Sequence, residues 1–303
     1  FSVAQSIIYD DKLGKATGVR VIDANTKEVI EYSSKIIFVN AATLNSTLLL
    51  MNSKSDRFPN GMGNDSGELG HNLMDHNYNC KVEGEYEGFE DKYYSGRRPT
   101  GTYLARFRNF GKDKQTDFKR GYAYAAGGSR APFSELSETA VGQTLKSDLT
   151  QLGPWKFGLS GMGECLPYHD NQITLSSDKT DEWGIPLLEI DAEYKENETV
   201  MTTDMIQTAM EMLDKMNFKN IKDKKEFRNI GLNIHEMGTA RMGRNQKTSV
   251  LNGNNQVWGA ENVFVTDGAS MTSSACQNPS LTYMALTARA ADFAVNELKK
   301  MNL

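Results

Sequence analysis

Short runs of alternating apolar and polar residues fill the first forty positions, and each run ends at a turn signal. Residues 3–9 alternate loosely and give way to DDKLGK. ATGVRVIDA (16–24) follows and breaks at Asn25-Thr26. Residues 29–32 and the wholly apolar 36–39 come next. This spacing predicts β structure, with the last run a buried strand. Ala41 and Ala42 stand directly after it, at the passage into the helical-looking TLNSTLLLMNS. Two readings are open there: ordinary strand–helix packing, or room for a ligand to approach closely. Residues 52–70, rich in Gly, Asn, Asp and Ser, predict a long loop.

From about residue 77 to 197 the pattern changes to aromatic, glycine-punctuated pieces at 102–107, 121–126, 155–161 and 172–176. Short strands separated by turns suggest an antiparallel sheet with one covered face. Residues 198–218 carry Met201, Met205, Ile206, Ala209, Met212, Leu213 and Met216 at three- and four-residue spacing, the mark of an amphipathic helix. That methionine stripe reads as core packing in preference to a partner groove. Residues 262–266 (NVFVT) form another β-branched run and stop at Asp267-Gly268, which suits a bend with positive φ. After Asn278-Pro279 the residues Met284, Ala285, Ala288, Ala291, Val295 and Leu298 recur at helical spacing. The fold class expected from this order is α/β (α+β). There is no internal repeat.

Composition narrows the function. The 303 residues suffice for one large or two ordinary domains. Charged residues make up 24% and the net charge is -5. Lys and Arg are scattered, which argues against nucleic acid as a partner. No apolar run approaches the length of a membrane span. Cys80, Cys165 and Cys276 form no C-x-x-C pair and read as buried thiols. His71 and His76 lie five residues apart with no cysteine near, an awkward spacing for a zinc pair, and a capped turn is the better reading. The chain opens Phe1-Ser2-Val3, without a targeting segment. Nothing in the sequence chooses between cytoplasm and periplasm.

Five positions near the end of the chain carry polar chemistry, and each has a plain structural reading. His235 reads as a satisfied core histidine before a Gly-rich turn, and Asn278 as a helix cap before Pro279. Asp267-Gly268 reads as a strand-ending turn, and Arg241 as an anion contact or a structural clamp. A helix start just after a polar loop also offers unpaired amides to electron-rich groups.

The segments HEMGTARMG (235–243), VTDGASM (265–271) and QNPSLTYMALTARAA (277–291) resemble the C-terminal part of the glucose-methanol-choline (GMC) family of flavoprotein oxidoreductases. The likeness is strongest to its sugar-oxidising branch of gluconate, fructose and glucoside dehydrogenases and pyranose 2-oxidase. KIIFVNAATLNSTLLLMNS (35–53) looks like the family's strand, turn and helix beside the flavin, and GELGHNLMDH (67–76) like its G-x-N-L-x-D-H loop. The resemblance implies FAD as cofactor. It also implies a Rossmann-like FAD-binding domain from residues 1–76 and 226–303, and an antiparallel-sheet substrate domain from 77–225. The family's G-x-G-x-x-G turn, which admits the pyrophosphate, is not found: Gly61-Met62-Gly63 and Gly161-Met162-Gly163 do not continue correctly. An N-terminal FAD-binding segment of the same protein is therefore expected as a partner, with an electron-acceptor subunit as a further one.

The implied activity is oxidation of a CH–OH group of a sugar, glycoside or sugar acid to the ketone. Removing the hydroxyl proton needs a base, and the resemblance gives that role to His235, with Asn278 holding the substrate oxygen. Val3, Ala41, Ala42, Asp267, Gly268, Asn278, Pro279 and Ser280 are implied FAD contacts. Two alternatives stay open: a primary-alcohol oxidase of the choline or aryl-alcohol type, and a non-catalytic binding subunit on the same fold.

Overall fold

The computed structural model describes residues 1–92, 101–130, 141–224 and 228–303. The expected domain boundary at 225/226 therefore touches residues outside the described ones. Strands β1 (Ser2–Asp10), β2 (Lys15–Asp23) and β3 (Val29–Ser33) form an antiparallel meander, as their alternation predicts. The β1–β2 turn closes through Asp10, whose carboxylate accepts the amides of Lys12 and Leu13 at 2.9 and 3.0 Å.

Two strand–turn–helix units then lie side by side. Strand β4 (Ile37–Val39) leads into helix α1 (Thr43–Asn52). Much later β13 (Ala260–Val265) leads toward helix α4 (Ser280–Lys299), and β13 pairs with β4 in parallel register. The two-residue strand β12 (Gln256–Val257) flanks β13 on its other edge. All side chains from Asn262 to Val265 are buried, as the continuous apolar run requires of a strand covered on both faces. Because the pair is parallel, the carboxyl ends of β4 and β13 open at the same edge. Thr266 donates to Asn40 across that edge at 2.7 Å.

The second body is a five-stranded antiparallel sheet. It is built from β5 (His76–Tyr86), β6 (Thr102–Leu104), β7 (Tyr122–Arg130), β8 (Trp155–Glu164) and β11 (Lys219–Asp223), in the order β11-β5-β8-β7-β6. The expected strand at 102–107 ends at Leu104, because Arg106 and Arg108 turn out of the ladder to reach Glu164 and Asp204. Helix α2 (Gly142–Thr150) precedes β8, and a hairpin of β9 (Gln172–Thr180) and β10 (Pro186–Asp191) follows it. Helix α3 (Glu196–Lys215) lies over the sheet and starts at a capping box in which the Glu198 side chain reaches back to the Lys195 amide.

Met201, Met205, Ala209 and Leu213 are fully buried in α3, so the methionine stripe is core over most of its length, while Met216 at its end is exposed. Each large apolar side chain there contributes roughly 1.5–3 kcal/mol. The fit is tight. A Cβ at Gly161 of β8 would lie 2.7 Å from Met205 Sδ and 2.9 Å from Cys80 Cβ. Cys80, Cys165 and Cys276 are buried free thiols, as read from the sequence.

Two large hydrophobic cores and a small third cluster result. One joins the meander, α1, the 58–74 loop and the 237–269 segment; the other fills the space between the five-stranded sheet and α3. Helix α4 buries Ala290 and Ala294 against Phe264, with Phe38 and Phe293 beside them. Several of its other apolar side chains face outward, with Leu281 78%, Met284 67% and Val295 48% exposed. No helix among the described residues is long and apolar enough to cross a membrane.

Candidate active site

His235 stands in a loop that the chain holds in an uncommon conformation. Ile234 before it has φ 59°, a left-handed value that a β-branched residue rarely adopts. Such backbone costs about 1–3 kcal/mol and persists only where neighbours fix it. The neighbour here is Asp75, fully buried, whose carboxylate accepts the amides of Gly231 and Asn233 at 3.0 Å and of His76 at 2.7 Å. Burial pushes the Asp75 carboxyl above its usual range, and those three amides and His235 pull against the rise.

The second half of the site is the loop at 272–279. Ser273 Oγ donates to Glu164 at the end of β8, and Arg106 meets the same carboxylate at 3.4 Å. Ser274 Oγ accepts the Cys165 amide at 3.1 Å, and the Ser274 carbonyl meets His76 Nε2 at 2.7 Å. The five-stranded sheet thus anchors the loop that carries Asn278. Asn278 is exposed, and Pro279, not Asn278, occupies the cap position of α4. The reading of Asn278 as a helix cap is therefore corrected: no side chain caps this helix, and that of Asn278 is turned to a cavity.

The cavity encloses about 340 Å³ and is lined by Tyr78, Arg228, Leu232, Asn233, Ile234, His235 and Asn278. It brings His235 and Asn278 together from positions far apart in the chain. His235 Nδ1 lies 3.1 Å from His76 Nδ1, with the two rings edge-to-face at 4.8 Å. Burial lowers the His235 pKa, and Asp75 opposes the fall. Burial, with repulsion from His235, pushes His76 down to about 3. Both rings are neutral at pH 7. A neutral imidazole beside a polar cavity can accept a proton.

Sequence reasoning missed His76, Tyr78, Arg228 and Asn233. The Asp75-His76 step was visible in the G-x-N-L-x-D-H-like loop, but nothing in the local sequence aims it at His235.

Of the remaining expected residues, Ala41, Ala42, Asp267 and Gly268 gather at the carboxyl ends of β4 and β13. Asp267 is buried there; its carboxylate accepts Ser46 Oγ at 2.5 Å and the Ala269 amide at 3.0 Å, while Ser46 Oγ also accepts the Ala41 amide at 2.9 Å. Burial raises the Asp267 pKa, and Ser46 with neighbouring amides opposes the rise. Ala42 has φ 66° and forms the entry to α1. Gly268 does not have the positive φ expected for the turn. Its requirement is close approach: a Cβ there would lie 2.3 Å from Thr43 Oγ1 and 2.5 Å from the Glu236 carbonyl.

A second cavity of about 450 Å³, lined by Asn40, Thr266, Asp267, Tyr283, Met284, Thr287 and Ala288, opens beside these residues. Ligands of open α/β sheets bind outside the carboxyl ends of parallel strands. The crevice, the exposed N-terminus of α4 with Ser280, and the apolar side chains around them suit a ligand with an apolar ring system and hydroxyl or phosphate groups. Val3 does not join this group. It lies in β1 opposite Ile22 and lines neither cavity. Arg241 is a clamp: it bonds the Thr248 carbonyl, Asn72 and Glu68 at 3.1–3.3 Å.

Comparison with known proteins gives the same direction. Residues 167–287 match the family model described as GMC oxidoreductase. The 2-methyl-1,2-propanediol dehydrogenase of Mycolicibacterium austroafricanum is 30% identical over 295 residues, covering 93% of this chain and 51% of that protein. The fructose dehydrogenase large subunit of Gluconobacter japonicus is 26% identical over 304 residues, 98% of this chain and 54% of its own length. The chain thus spans about half the length of the relatives it matches. A crystal structure of formate oxidase superimposes with a TM-score of 0.63 at 14% identity, covering 99% of this chain and 60% of that one, a likeness of fold.

Proposed function

From a chain whose residues 167–287 belong to the GMC oxidoreductase family, we propose that it carries the catalytic residues of an FAD-dependent oxidoreductase. The enzyme oxidises the CH–OH group of a sugar, glycoside or sugar acid to a ketone. The observation that carries this reading is the single polar cavity lined by both His235 and Asn278.

FAD, when bound, supplies the acceptor for the hydride that leaves the alcohol carbon. Residues from the edge of β4 and β13, with Ala41, Ala42, Asp267 and Gly268, and the start of α4, with Pro279 and Ser280, would hold it. The pyrophosphate turn is not among the 303 residues. We assign it to a further FAD-binding segment of the same polypeptide. Coverage of about half of each relative supports this, as does the outward apolar face of α4. In this reading residues 1–76 and 226–303 serve the cofactor and 77–225 the substrate.

The chain's own part in the chemistry is positioning and proton transfer. Asn278 donates its amide N–H to the substrate oxygen, and His235, neutral near pH 7, takes the hydroxyl proton. An Asn cannot take up a proton at this pH, so the base role falls on His235 alone. Asp75 stands close enough to favour the imidazolium that forms.

A second reading has support of its own. One relative is named for 2-methyl-1,2-propanediol, a diol in which only the primary alcohol carbon bears hydrogen. It favours a primary hydroxyl of a small polyol as substrate.

The test is anaerobic reduction of the full-length, FAD-loaded protein by a panel of sugars, sugar acids and small diols, beside His235→Ala. One class should bleach the flavin, and the variant should react about 10²–10⁴-fold more slowly. Equal rates in parent and variant would remove His235 from the mechanism. A flavin that no substrate bleaches would favour a binding subunit.

A further inference from the structure

The contact between the two histidines fixes more than distance. His76 Nε2 lies 2.7 Å from the Ser274 carbonyl, which can only accept, so this nitrogen carries the proton and donates it. In a neutral ring the other nitrogen is then bare. His76 Nδ1 is therefore an acceptor, and the atom 3.1 Å from it is His235 Nδ1. That nitrogen must be the donor. His235, neutral, is left with its proton on Nδ1 and its only lone pair on Nε2, on a side chain that lines the cavity.

We propose that His76 is a positioning residue that sets the tautomer of His235, so that Nε2 is the atom that receives the substrate proton. This rests on the reading of His235 as the base. When the substrate O–H bond breaks, the new N–H bond forms on Nε2 and the ring becomes an imidazolium. Its Nδ1–H stays donated to His76 Nδ1, and that bond is strengthened by the charge. No second proton moves.

Three features of the surroundings support the assignment. His76 is fully buried, and its resistance to protonation keeps the Nδ1 lone pair available near neutral pH. Asp75 is engaged with three backbone amides, and among the described residues no carboxylate accepts from the His235 ring in the way a catalytic-triad aspartate does. Both ends of the relay are anchored: Ser274 by the Cys165 amide, and His76 by the Asp75 carboxylate at its own amide. Among the described residues His76 is the hydrogen-bond partner of the His235 ring.

The test reads the tautomer directly. Long-range ¹⁵N–¹H correlation of the ring nitrogens in the full-length, FAD-loaded protein, with His235 assigned by its loss in His235→Asn, should show His235 protonated at Nδ1 and bare at Nε2. His76→Leu removes the acceptor and should shift His235 toward the Nε2-protonated form, slowing flavin reduction at least about tenfold. His76→Asn places an amide oxygen near the former Nδ1 and should restore both the tautomer and most of the rate.

An Nε2-protonated His235 in the parent protein would overturn the proposal. So would an unchanged tautomer in His76→Leu, or a failure of His76→Asn to do better than His76→Leu. If His235→Ala reduces the flavin at the parent rate while the tautomer is as stated, the base assignment falls and the relay stands, so the two failures are told apart.

Discussion

Gly268→Ala is the substitution that most directly probes how the cofactor edge is joined to the candidate base. The added Cβ would stand 2.3 Å from Thr43 Oγ1, 2.5 Å from the Glu236 carbonyl oxygen and 3.0 Å from Tyr283 Oη. Thr43 Oγ1 is itself bonded to that carbonyl at 2.5 Å. The hydroxyls can swing away, but the carbonyl belongs to backbone held on the other side by Met74 and Gly268. Overpacking costs about 1–3 kcal/mol. The backbone clash puts this case in the upper half, and the lost Thr43 bond adds about 0.5–1.5 kcal/mol. The expected destabilisation is therefore about 3 kcal/mol, a fall of about 2–5 °C in melting midpoint. Moving the Glu236 carbonyl also moves the residue after His235, and a displacement of about 1 Å can slow the reaction up to about 10²-fold. Melting and anaerobic flavin reduction of the full-length protein give the two numbers. Thr43→Ala relieves only the 2.3 Å contact, so the double variant should regain about 1 kcal/mol relative to the sum of the single changes. If Gly268→Ala melts with the parent, this packing argument is wrong. If it melts early but keeps the parent rate, the carbonyl yields without carrying His235 along.

Two further outcomes follow from buried groups. His76, pushed down to about 3 in the fold from an ordinary 6.5, is neutral in both folded and unfolded chains above pH 6.5 and there has no effect. Below 6.5 the unfolded chain binds a proton that the folded one refuses, so stability falls by about 1.4 kcal/mol per pH unit down to about pH 3. Melting scans from pH 7 to 4.5 should show a slope that flattens in His76→Leu, and parallel slopes would refute it. Met205→Ala empties a fully buried site above Gly161, which has no side chain of its own to fill the gap. It should cost about 3–5 kcal/mol in denaturant unfolding, and a loss under about 1 kcal/mol would show that the core collapses there.

Local signals carried much of the fold. The strand at Ala260–Val265 and helix α3 are where apolar spacing put them, because burial on two faces of a strand or one stripe of a helix writes a period into the residues themselves. The same rule misleads about α4. Its apolar residues recur at helical spacing, yet Leu281, Met284 and Val295 face outward, and the small Ala290 and Ala294 meet the sheet. Periodicity reports that a face is apolar and is silent on what covers it. Gly268 was legible as a residue that must be small, but for the wrong cause. A positive φ is a property of one residue, whereas its neighbours Thr43 and Glu236 arrive from two other parts of the chain.

The histidine relay lies beyond sequence reading for a deeper reason. His76 and His235 are 159 positions apart, and the partners that give the pair its chemistry are mostly backbone atoms. The Ser274 carbonyl fixes which nitrogen of His76 is protonated, and the amides of Gly231 and Asn233 bind Asp75 and so hold the loop that carries His235. Any residue supplies a carbonyl or an amide, so the identities of residues 231, 233 and 274 bear no mark of the task. His235 and Asn278 could be named because their side chains are themselves the reagents. The groups that make one nitrogen of His235 basic act through main-chain bonds, and those exist only once the five-stranded sheet, the Asp75 loop and the 272–279 loop have met.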